Sequence, residues 1–80
     1  MGWYSMTKKE IEELRYYDLI GCPFSGERWY VIGWFYDNRK NIWILSVTDL
    51  MKTYGWFVTQ EQLKRYIILK KSSFERIKKE

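Results

Sequence analysis

At 80 residues, 46% of them hydrophobic and 20% aromatic, the chain has room for one small domain whose core must rely on Phe, Tyr and Trp. A single cysteine and the absence of histidine exclude a disulfide framework, an ordinary zinc site and the commonest general base. The net charge of +4 is unevenly placed: residues 1–60 carry seven basic and seven acidic side chains, residues 61–80 seven basic and three acidic.

In chain order, "MGWYSMTKKEIEE" turns acidic where a signal peptide needs an apolar stretch, and Met6 stands where a myristoylation signal needs Ser or Thr. No segment approaches the roughly 20 apolar residues of a membrane span. The expectation is a soluble, unprocessed, cytoplasmic protein (host cytoplasm if viral) with no membrane partner. Thr7 and Glu10 then form a T-x-x-E capping box, with Met6 and Ile11 at the staple positions. Ile11, Leu14 and Tyr17 give a narrow apolar stripe, and Glu10, Glu12 and Glu13 sit where a carboxylate favours the helix dipole. Together they predict a helix over 7–18.

"GCPFSGER" breaks the chain with two glycines and a proline, and Cys22 within it reads as a small buried hydrophobe lacking an electropositive neighbour. A strand rich in aromatic and β-branched residues follows over 28–36. The polar loop "DNRKN" and a second strand over 42–47 complete a hairpin. "TDLMKTYG" predicts a turn or two of helix, capped by Thr48 and stopped by a left-handed Gly55. Residues 56–58 read as a short strand, and Thr59 with Gln62 opens another capped turn. Residues 64–71 fit either a helix or a buried strand. Ser72 and Glu75 supply a third box, predicting a short basic C-terminal helix over 72–80 with Phe74 and Ile77 on its apolar side.

The hairpin carries more aromatic surface than alternation allows. Strand parity puts Trp29, Val31, Gly33 and Phe35 on one face and Tyr30, Ile32, Trp34 and Tyr36 on the other, so both faces are apolar and both need cover. Gly33, in the middle of the strand, marks a bend. With "GWFVTQEQL" as closing strand and short turn, this order resembles an SH3-like small β-barrel over residues 20–68. The resemblance is at the level of fold and implies no particular activity. The expected fold is thus α+β and mostly β: one domain over 1–80, a bent-strand barrel with the N-terminal helix packed on it and the basic helix after it.

A three-turn helix roofs about three apolar residues, too few for every hairpin aromatic. Some should face a partner, since Trp and Tyr combine contact area with a polar tip. No phosphate loop, nucleophile elbow, calcium loop or cofactor motif occurs. The sequence therefore reads as non-enzymatic, with no cofactor and no metal. The first reading is a protein-interaction module, of the kind a phage, plasmid or other compact genome uses as inhibitor or adaptor. It would bind through Tyr30, Trp34, Tyr36, Arg39, Lys40 and Trp43. The alternative is a nucleic-acid-binding barrel, with Lys70, Lys71, Arg76, Lys78 and Lys79 on phosphates and exposed aromatics stacking on bases. Against it, the hairpin's few cations are balanced by Glu27 and Asp37. A homodimer through a self-complementary aromatic edge is a further option.

Overall fold

A computed structural model of the protein describes residues 5–79; the expectations for residues 1–4 and for Glu80 lie outside the described residues. The elements in chain order are α1 (Lys8–Glu12), β1 (Leu19–Gly21), β2 (Arg28–Asp37), β3 (Ile42–Thr48), β4 (Gly55–Thr59), α2 (Gln60–Leu63) and β5 (Ile67–Lys70). The strands form one antiparallel sheet in the order β4-β3-β2-β1-β5. The fold is therefore mostly β with two short helices. No ladder joins β4 to β5, so the sheet has two edges and is not a hydrogen-bonded closed barrel. Residues 64–71 resolve in favour of a strand.

The two helices start where their capping boxes say. Thr7 Oγ1 accepts from the Glu10 amide and Glu10 returns a carboxylate oxygen to the Thr7 amide; Thr59 and Gln62 repeat the exchange. The N-terminal helix is nevertheless five residues long, not the twelve of 7–18. Asp18 ends it from outside: its Oδ2 accepts the Arg15 amide at 2.8 Å, while the Leu14 carbonyl accepts from the Ile77 amide at 3.0 Å. Those groups would otherwise continue the i to i−4 ladder. Tyr17 then takes a left-handed φ of 65° and leaves the apolar stripe.

The same clasp replaces the expected C-terminal helix. The Ser72 amide donates to Asp18 Oδ1 at 2.8 Å and its hydroxyl donates to the Tyr16 carbonyl, so the Ser72–Glu75 box does not form. The chain bends at Ser73 and Phe74 and then pairs through an isolated antiparallel bridge between Arg15 and Arg76, and Ile77 enters the core. The turn after β3 is not helical either. Asp49 organises it by accepting the Thr53 and Tyr54 amides and the Thr53 hydroxyl. That hydroxyl, ahead of the amides, holds the Asp49 carboxyl below its usual range. Lys52, not Gly55, takes the left-handed φ there.

The core gathers Met6, Ile11, Leu14, Ile20, Trp29, Val31, Leu45, Val47, Val58, Leu63, Tyr66 and Ile77 with Cys22 at its margin. Ile11 and Leu14 are buried in the same core cluster as the hairpin residues Trp29, Val31, Leu45 and Val47. The bend in β2 lies one residue before the expected position. The register with β3 shifts between Val31 and Gly33, leaving Ile32 as an inserted residue without a partner. That bulge reverses the strand's parity. Trp29, Val31, Trp34 and Tyr36 share the core side with Trp43, Leu45 and Val47, while Tyr30 and Phe35 share the outer side with Ile44 and Phe57. The uninterrupted alternation expected from sequence is corrected accordingly.

Candidate functional site

The residues expected to bind a partner fall into two groups, which the bulge separates. Trp34, Tyr36 and Trp43 stay together at the outer end of the hairpin, where the Tyr36 and Trp43 rings meet edge-on at 5.3 Å. Trp34 and Trp43 are only half-buried and Tyr36 is exposed. Arg39 and Lys40 are exposed at the tip, with both amides folded onto Asp37 Oδ1. Tyr30 lies elsewhere. It is half-buried on the outer side, edge-on to Tyr17 at 6.2 Å, with Lys52 Nζ 5.0 Å from the Tyr17 ring centre and 5.9 Å from its own.

The tail cations divide in the same way. Because residues 75–77 pair with residues 14–16, Lys79 reaches the hairpin, its Nζ 4.7 Å from the Trp34 ring centre and 5.6 Å from that of Trp43. Arg76, Lys78 and Lys79 border a hollow of about 520 Å³ against Trp34. Lys70 and Lys71 instead border a hollow of about 360 Å³ beside Tyr17, Tyr30 and Phe74. Charge and aromatics that are far apart in sequence are neighbours in space. The objection that the hairpin lacks surplus cations therefore loses its force.

A third surface was not among the expected site residues. The most exposed large rings are Phe24, Tyr54, Trp56 and Phe57, and three of these four lie on β4 or immediately before it. Trp56 is 60% exposed and Phe57 58%, one on each side of the sheet's edge. Phe57 meets Phe35 edge-on at 5.1 Å, and the pair lies with buried Ile44 on the outer face, apart from the main core. The signal available in sequence is that residues 53–60, "TYGWFVTQ", form eight successive positions without a charged side chain.

Beside β4 a cleft of about 500 Å³ lies between the 22–27 turn and α2, lined by Cys22, Phe24, Glu27, Trp56, Arg65 and Tyr66. Gly26, with a φ of 78°, lets that turn close, its amide donating to the Cys22 carbonyl at 2.8 Å. Burial opposes ionisation of the Cys22 thiol, but the Ser25 hydroxyl and the amides of Ser25 and Phe24 outweigh it and leave the thiol below its ordinary value. Cys22 is buried, as expected; the turn's donors make its surroundings less apolar than the sequence suggests. Tyr66 donates to Glu27 Oε1 at 2.8 Å, and burial together with that carboxylate pushes the phenol up to about 12.

Both oxygens of the buried Asp18 accept backbone amides, which gives that carboxylate a structural task. Among the described residues no three His, Cys, Asp or Glu side chains gather as metal ligands, and no helix is long and apolar enough to cross a membrane. No protein-family model, curated protein or solved structure matches the chain.

Proposed function

We propose that the chain is a non-enzymatic protein-interaction module built on an SH3-like frame, and that its docking surface is the hairpin's outer face continued onto β4. The frame is supported by a long bulged β2 that serves both halves of the sheet, and by the short α2 turn between β4 and the last strand. The observation that carries the functional reading is the edge itself. Natural edge strands are protected by charge, proline or extreme shortness. β5 carries Lys70, with Lys71 after it, whereas β4 presents Trp56 and Phe57 with no charged residue from 53 to 60. Rings exposed on both sides of an unpaired strand supply contact area together with free main-chain donors and acceptors, which is how a protein adds a strand to a sheet.

One observation favours a second reading. Lys79 over Trp34 and Trp43, and Lys52 over Tyr17 and Tyr30 with Lys70 and Lys71 lining the same hollow as those two rings, set cations among aromatic faces in the manner of surfaces that track single-stranded nucleic acid. The two readings use different residues. Pull-downs from native or host lysate, with and without nuclease, compare the unaltered chain with Phe57→Lys and with Lys70→Gln/Lys71→Gln/Lys78→Gln/Lys79→Gln. A nuclease-resistant protein lost only from Phe57→Lys supports the module. Retention abolished by nuclease, by the lysine replacements and by raised salt replaces it with nucleic-acid binding.

A further inference from the structure

We infer that β4 pairs with β4 of a second copy of this chain, antiparallel about a twofold axis at Phe57, so that two five-stranded sheets become one. This names the occupant of the surface just proposed and rests on that reading.

Charge selects the edge. Two copies that each carry +4 can approach only where no like charges meet, and a twofold contact sets every residue against the same surface of its partner. β5 fails that requirement, because an antiparallel pair centred on it brings the Lys70–Lys71 end of one copy toward the Lys64–Arg65 end of the other. β4 meets it: centring the pair on Phe57 sets Phe57 against Phe57, Trp56 against Val58 and Gly55 against Thr59, all uncharged. The nearest ions beyond the strand are Lys52 at one end and Glu61 at the other. Antiparallel pairing brings the 52 end of one copy toward the 61 end of the other, which juxtaposes opposite charges at both ends.

The side chains fit the same arrangement. Cross-strand aromatic and aromatic–β-branched pairs are favourable neighbours in antiparallel ladders. Phe57 already meets Phe35 at 5.1 Å. A second Phe57 and Phe35 across the axis would turn that pair into a four-ring cluster on the outer face. On the opposite side Trp56 would come over Val58 of the second copy.

Area is sufficient for a modest dimer. A specific interface takes about 800 Å² from each partner. Tyr54, Trp56 and Phe57 are each close to three-fifths exposed. At roughly 150–250 Å² per ring they offer about 350 Å² together. The main-chain edge and the neighbouring 51–54 and 60–62 side chains extend the patch toward the lower end of specific interfaces. The dimer is therefore expected to be concentration-dependent.

Sedimentation equilibrium from low micromolar to millimolar protein tests the pairing. The chain should pass from monomer to dimer, and Phe57→Lys and Trp56→Lys should each weaken association at least tenfold, whereas Phe74→Lys, whose ring packs on Tyr17 and lies off β4, should not. Circular dichroism and thermal melts report whether each variant folds. Should a lysine variant fail to fold, Phe57→Cys in a Cys22→Ser background decides. Oxidation should link it into a dimer much faster than Ser73→Cys in the same background.

A chain that stays monomeric at millimolar concentration overturns the inference. So does a dimer indifferent to both lysine replacements, or a Phe57→Cys chain that links no faster than the control. If the chain is monomeric yet Phe57→Lys loses a captured protein, self-pairing is refuted and the interaction module stands. If it is monomeric and capture is also indifferent to β4, both fall.

Discussion

Before the bulge at Ile32, β2 is paired on both sides: Trp29 and Tyr30 with β1, Tyr30 and Val31 with β3. Past the end of that ladder, the Val31 main chain exchanges hydrogen bonds with Tyr17 and Asp18. After the bulge, residues 33–37 pair with β3 alone, and side-chain cover comes from the tail, with Lys79 over Trp34. Trp29 and Val31 are buried, whereas Phe35 and Tyr36 are exposed. Both halves are rich in aromatics, Trp29 and Tyr30 in the first and Trp34, Phe35 and Tyr36 in the second, although the β-branched residues Val31 and Ile32 precede Gly33. What differs most is the supply of covering segments: Tyr17 and Asp18 close on Val31, and Ser72 closes on Asp18, at the first half. A residue's fate in so small a sheet is thus decided by what the termini reach, more than by its own hydrophobicity.

The largest expected effect lies in that clasp. Leu14 is fully buried in the core that Trp29 and Val31 share, so Leu14→Ala should cost about 2–5 kcal/mol in chemical denaturation. Phe35→Ala in the second half should cost on the order of 1 kcal/mol, chiefly the edge-on contact with Phe57. Equal losses would mean that the outer half is as firmly built as the inner one.

Asp18→Asn comes next. The carboxylate serves the Arg15 and Ser72 amides with one oxygen each, and an amide side chain offers one oxygen and one NH₂ in the same space. One buried N–H then faces a donor, at a cost of about 1–3 kcal/mol. Because Ser72 anchors the tail, amide exchange at Ser72 and Ile77 should quicken more than exchange in β3. Uniform quickening would show that the tail is held by Ile77 alone.

These two sites also mark how far the sequence was legible. Local signals were read correctly: two capping boxes formed as spelled, and the hairpin strands lie within a residue or two of their expected bounds. The third box is spelled equally well and did not form, because Asp18, 54 residues away, takes the Ser72 amide. Two expected helices were shortened or lost to that single buried carboxylate, and nothing near Ser72 announces it. The bulge was half legible. Gly33 pointed to the right neighbourhood, but which residue is inserted depends on register with β3, and the error reversed the predicted faces beyond it. Of the expected partner residues, Trp34, Tyr36 and Trp43 do share a face. Trp56 and Phe57 stand exposed because β4 has one neighbouring strand, where the closing strand of a barrel has two.

The closed end also predicts a pH dependence. Tyr66 is buried there against Glu27 and its phenol is pushed up to about 12 from an ordinary value near 10. The folded state therefore favours the neutral phenol more than the unfolded state does. The associated stability is fully present below about pH 10 and is lost as the pH rises toward about 12. Denaturation midpoints across that window should fall more steeply for the unaltered chain than for Tyr66→Phe. Parallel curves would show that Tyr66 ionises freely.

The smallest expected effect tests the junction between the halves. If the bend belonged to Gly33, any side chain there would be resisted. The structure assigns the bend to Ile32: Gly33 does not share the positive φ of Gly26, and a Cβ built on it meets nothing within 4 Å. Glycine inside a strand is disfavoured relative to alanine by about 0.5–1 kcal/mol, because it loses more backbone freedom on folding. Gly33→Ala should accordingly be neutral or stabilise the fold by a few tenths of a kcal/mol. Deleting Ile32 should remove the bulge and leave the faces as they are. Gly33 would then follow Val31 directly, the pairs Val31 with Val47 and Gly33 with Ser46 would continue without an inserted residue, and Trp34 and Tyr36 would keep the core side. A Gly33→Ala chain destabilised by more than about 1 kcal/mol would move the hinge back to the glycine. The two halves of β2 would then be divided by backbone freedom, not by an inserted residue.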